Sequence, residues 1–87
     1  MPTLLKSGGF TFYMVMFDCR ESRHVHASRG DRRAAAKRWL DPVVELVTAG
    51  RYNDREIARV ERLVRENLTL LRSRWDAECR KAGENER

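Results

Sequence analysis

The chain has 87 residues, 41% of them hydrophobic and 36% charged, and its formal net charge is +5. That length allows one domain with a thin core, since so short a chain buries only about 60% of its unfolded surface. The apolar residues are periodic, which argues against disorder, and no run approaches the ~18 apolar residues of a membrane span.

MPTLLKSGG, at the N-terminus, is too short and too weakly apolar for a secretory leader. GFTFYMVMF (9–17) is almost continuously apolar, with aromatic and β-branched members, and reads as a buried strand after a Gly8-Gly9 turn. Residues 18–23 are polar and read as a connection. From Arg23 to Ser28 polar and apolar residues alternate, so a strand there sets His24 and His26 on one face and Val25 and Ala27 on the other. Arg29-Gly30-Asp31 signals a turn. The following DRRAAAKRWL is ambiguous. Ala-Ala-Ala-Lys-Arg favours helix, yet the stretch between Gly30 and Pro42 is short for a capped helix, and a strand there makes a hairpin with 23–28. Strand is the expectation, because β-structure depends more on context than on intrinsic preference. Asp41-Pro42 turns the chain, and VVELVT (43–48) is a further strand ended by Ala49-Gly50.

The helix carries the strongest pattern. Asn53 with Glu56 forms a capping box, and Ile57, Val60, Val64, Leu68, Leu71, Trp75 and Cys79 follow along one helical face. From 54 to about 81 such a helix is roughly 40 Å long, more than a small sheet covers. Either Asn67-Leu68-Thr69 breaks it, or its far end packs on another chain. The latter makes Leu71 and Trp75 expected interface residues of a homodimer or hetero-complex. The expected architecture is α+β: a small antiparallel sheet of three to four strands packed by one long C-terminal amphipathic helix. A single domain spans 1–82, with a frayed tail at 83–87.

Charge is unevenly placed. Residues 20–38 hold seven Lys and Arg against two acids, while residues 53–87 come close to cancelling. Fifteen arginines against three lysines can reflect codon usage, but codon usage does not explain the clustering. A local cationic stretch attracts polyanions. Arg20, Arg23, Arg29, Arg32, Arg33, Lys37 and Arg38 are therefore the expected nucleic-acid-binding residues. His24 and His26, both near neutral pKa by type, are the candidate catalytic acid–base pair for RNA chemistry. With Cys19 they also provide metal-ligand types, but only Asp18 offers a fourth position, so no metal and no cofactor are expected. Cys19 and Cys79 have no zinc-type neighbours and read as free thiols, Cys19 in a loop and Cys79 buried, in a reduced cytoplasmic protein. Tyr13, Trp39 and Tyr52 have apolar neighbours that favour core packing over base stacking.

The pieces MPTLL, FYMVMFDC, HVHASRGD, VVELVTAG and LRSRWDAE, spread from residue 1 to about 78, resemble domain-of-unknown-function family 4160. The most specific part is FxMxxxD followed by HxHxxxG. The resemblance implies a small bacterial protein encoded beside a second small protein with a helix-turn-helix, an arrangement like a toxin–antitoxin pair with this family on the toxin side. The family usually carries a histidine just after the aspartate and Pro-Pro before His-x-His. Here Cys19 and Arg20-Glu21-Ser22-Arg23 stand there, which weighs binding over chemistry. The expected function is binding of nucleic acid or a nucleoprotein complex, as a toxin–antitoxin component. Two alternatives are a non-catalytic module docking an acidic partner, such as a cognate antitoxin-like protein, and a histidine-dependent ribonuclease-like toxin.

Overall fold

A computed structural model describes residues 2–15 and 18–85. Five strands form one antiparallel meander, in spatial order β1-β2-β3-β4-β5. They are β1 (Thr3–Ser7), β2 (Phe10–Tyr13), β3 (His24–Ser28), β4 (Ala36–Trp39) and β5 (Glu45–Thr48), followed by helices α1 (Asp54–Glu66) and α2 (Leu68–Asn85).

The sheet has five strands, where three to four were expected, because TLLKS is also a strand. Its composition is too plain to stand out in sequence, and its pairing comes from the turn. Gly8 and Gly9 both take positive φ, 57° and 84°, which suits a two-residue hairpin, and this sets Ser7 opposite Phe10 and Leu5 opposite Phe12. β2 is shorter than the apolar run suggests. Met14 and Val15 follow the strand in non-strand conformation, and residues 16–17 lie outside the described residues.

The ambiguous stretch resolves as a strand preceded by one 3-10 turn, Arg32–Ala34, capped by the Asp31 side chain. Ala36 then pairs with Ala27, and Arg38 with Val25. Helix propensity loses here because the extended form buries Ala36 against the core. The chain re-enters the core through Gly50, whose φ is +59° and whose missing Cβ would lie 2.3 Å from the Ala34 carbonyl oxygen. No other residue fits that approach.

Phe10, Phe12, Val25, Ala27 and Ala36 of the sheet share one core with Ile57, Val60, Leu63 and Val64 of α1. The capping box is complete: Glu56 N–H donates to Asn53 Oδ1 at 2.9 Å, and Asn53 N–H to Glu56 Oε1 at 3.1 Å. The helical stripe does break at Asn67, whose side-chain amide donates to the Leu63 carbonyl at 2.8 Å. This break re-aims α2, so the rest of the stripe folds back onto the same sheet. Leu71 and Trp75, at 0% and 6% exposure, lie in the chain's own core. That corrects their expected place at an intermolecular contact. α2 continues to Asn85, past the point where a frayed tail was expected.

Three further ties hold α2 to its own chain. Arg72 donates to the Leu40 carbonyl at 2.7 Å and pairs with Asp41. Arg23 bridges Asp41 and Asp76. Cys79 is disulfide-bonded to Cys19 across 60 positions, which corrects the expectation of two free thiols. Among the described residues, no helix is long and apolar enough to cross a membrane.

Candidate nucleic-acid interface

The alternation of β3 brings the two histidines together as expected. Their rings lie 5.2 Å apart on one face of the strand. That face is not open. His24 is fully buried, at 0% exposure. Its Nδ1 lies 2.9 Å from the Ser22 carbonyl oxygen, and the edges of Trp39 and Trp75 meet it at 5.4 and 6.4 Å. His26 is half-buried and stacks on Tyr13 at 5.4 Å. The result is a row of rings that braces β3 against α2, and His24 has no surface to offer a substrate. Cys19, consumed in the disulfide, supplies no thiolate. Among the described residues, no three His, Cys, Asp or Glu side chains gather as a metal site.

The seven basic residues of 20–38 do not form one surface either. Strand alternation sends Lys37 and Trp39 to one side of the sheet and Arg38 to the other. Arg38 is consequently buried beneath α1, at 4% exposure, and pairs with Glu61 at 3.1 Å. Burial lowers its pKa from the ordinary value, with Glu61 opposing that shift. A guanidinium so placed cannot meet a phosphate, and Arg38 is withdrawn from the expected binding set. Arg23 is committed to Asp41 and Asp76, and its hydrogen bond to Asp41 raises its pKa. Lys37 pairs with Glu21 at 3.0 Å, its ammonium 4.9 Å from the centre of the Trp39 ring. Arg32 lies over Tyr13 at 4.4 Å. Arg33 reaches back to Asp31 at 3.2 Å, and the Arg33 N–H and guanidinium together hold the Asp31 carboxyl below its usual range. Arg20 is exposed on the short turn Asp18–Arg20.

One residue of the expected set, Arg29, leads to a different surface. Beyond the end of β3 it faces α1, where Arg29, Arg55, Arg59 and Arg62 line an open cleft of about 700 Å³ with Glu56 and Ala58. Positions 55, 59 and 62 are four and three apart, so they share one face of the helix, opposite the buried Ile57, Val60 and Val64. Four guanidiniums thus surround a single carboxylate. Glu56 is itself engaged, in the capping box and with Arg29 at 3.4 Å. Arg62 pairs with the solvent-exposed Glu66 at 3.6 Å. Arg55, Arg59 and Arg62 were missed because charge summed along 53–87 nearly cancels. The same sequence sorted by helical face separates the arginine stripe from most of the acids.

The chain matches the family model Domain of unknown function (DUF4160) over residues 9–76, and it belongs to that family. No curated protein and no solved structure matches it.

Proposed function

We propose that this protein binds nucleic acid by its phosphate backbone, with the cleft of Arg29, Arg55, Arg59 and Arg62 as the principal contact, and that it serves as a component of a bacterial toxin–antitoxin pair. The observation that carries this reading is the excess of guanidinium in one open cleft. Guanidinium forks match phosphate oxygens two at a time, and such contacts fix a nucleic acid without reading its sequence.

The aromatic residues support backbone contact over base stacking. Arg29 lies over Phe10, Arg32 over Tyr13, Lys37 over Trp39 and Arg51 over Tyr52. Phe10, Tyr13 and Tyr52 are themselves buried. Binding of single strands usually depends on open aromatic platforms, so a duplex or a structured RNA fits this surface better. The ribonuclease-like reading has less support, because His24 is covered and only the half-buried His26 is left for proton transfer. A cytoplasmic location belongs to this proposal, and there the Cys19–Cys79 bond is open to reduction.

The test is fluorescence anisotropy of labelled mixed-sequence duplexes over a salt series. The expected result is an affinity that falls steeply with salt, by about 0.9 in log–log slope per neutralised phosphate, and that varies little between sequences. Binding that ignores salt, or no binding to duplex or structured RNA at low salt, would refute the reading.

A further inference from the structure

The two edges of the sheet differ. On β1, the Leu4 carbonyl accepts from Arg74 of α2, and the strand carries Lys6, so that edge is partly occupied by the chain itself and guarded by a charge. On β5 all four residues are exposed. Val43, Leu46 and Val47, at 59%, 39% and 45%, are three of the four exposed large hydrophobics among the described residues. An edge strand presents unpaired N–H and C=O groups, and proteins commonly guard it with Lys, Pro or a covering segment. Within ELVT there is neither Lys, Arg nor Pro.

The charges beside this edge say what covers it. Most carboxylates with a described side chain have a basic partner: Glu21 with Lys37, Asp31 with Arg33, Asp41 and Asp76 with Arg23, Glu56 with Arg29, Glu61 with Arg38, Glu66 with Arg62 and Glu78 with Lys81. Asp54 has no basic partner among the described residues, but it sits in the first turn of α1, where the helix dipole favours negative charge. Glu45 has neither a partner among the described residues nor such a position, and it begins the exposed edge. Arg51 follows just past the other end, its side chain exposed and its guanidinium donating to the Arg29 carbonyl at 2.9 Å.

We propose that β5 pairs antiparallel with β5 of a second copy of this chain, making one continuous sheet across a two-fold axis. That axis reverses the strand. It moves the two Glu45 carboxylates to opposite ends of the contact, each toward the end where the other copy's Arg51 emerges, and it brings Leu46 and Val47 of both copies to the centre. The edge is thus complementary to itself, as an isologous contact requires. The contact is small beside the roughly 1,200–2,000 Å² of stable interfaces, so the dimer is weak and concentration-dependent. This inference stands on the sheet edge alone and is independent of the nucleic-acid reading.

Sedimentation equilibrium of the full chain, from about 1 to several hundred μM, tests it. The expected result is a reversible monomer–dimer equilibrium, weakened at least ~10-fold by Val47→Lys and by Glu45→Lys. Both positions are exposed, and unchanged circular dichroism will show that both variants fold. Arg51→Glu is expected to weaken association too, and the exchange Glu45→Arg with Arg51→Glu to restore it. A wild-type monomer throughout the range would overturn the proposal. So would a dimer insensitive to Val47→Lys, or charge variants that do not rescue each other.

Discussion

The His-x-His face of β3 and the outer face of α1 make an instructive pair. The first is conspicuous in sequence: both histidines of the chain lie in it, amid seven basic residues. Folded, it is largely taken up by the chain itself: His24 is walled in by Trp39 and Trp75, Arg23 and Lys37 are bound to carboxylates, and Arg38 is turned to the opposite side of the sheet and paired with Glu61. The second is inconspicuous, because its arginines are interleaved with acids along the chain. Folded, it sets three arginines on one open side of a helix, with Arg29 across from them. Density of charge along a chain is therefore a poor guide to charge on a surface. Periodicity and ion pairing decide which groups remain available.

If the β3 face is structural, changes there cost stability first. The largest effect is expected from Trp75→Ala, which removes a buried ring from the core and from the edge of His24. A loss of about 3–5 kcal/mol in urea unfolding is predicted. A loss under about 1 kcal/mol would mean that Trp75 is not packed as described.

Cys79→Ser follows. The bond joins Cys19 to α2 across 60 positions, and opening so long a loop typically costs about 2–4 kcal/mol. Thermal unfolding with and without reductant provides the same comparison in the unmodified chain. Equal midpoints in the two conditions would show that the bond contributes nothing.

Glu61→Ala is smaller again. It leaves the buried Arg38 guanidinium without its carboxylate, although Glu61 itself is partly exposed. A loss of about 2 kcal/mol is expected, below the full value for a deeply buried pair. Arg38→Met should cost less than Glu61→Ala, because it removes the charge together with the need for a partner. The reverse order would contradict the assignment of Arg38 to the interior.

Local patterns were the legible part of this fold. Asn53 and Glu56 announce their cap because both partners lie within one turn. The alternation of 24–28 fixes the side of each histidine, and Asn67 marks the helix break. What the sequence did not disclose depends on distant partners. β1 owes its pairing to β2, since TLLKS has little strand character of its own. The Cys19–Cys79 bond joins residues that only the packing of α2 brings together. Of the expected binding residues, only Arg29 lies in the cleft. The rest of the cleft was illegible because it needs α1 placed beside the end of β3, and charge counted in consecutive blocks cannot express that.

The contrast between the two faces is tested most directly by salt-dependent duplex binding of two variants measured side by side. One is Arg55→Ala, Arg59→Ala, Arg62→Ala in the cleft, and the other is Arg32→Ala, Arg33→Ala at the end of the β3–β4 hairpin. All five side chains lie outside the core, so each substitution is expected to change stability by no more than about 0.5 kcal/mol. The account predicts that the cleft variant binds more weakly and loses roughly 2 to 3 from the log–log salt slope, while the hairpin variant changes little. A flattened slope in the hairpin variant, with the cleft variant binding as the unmodified chain does, would contradict it.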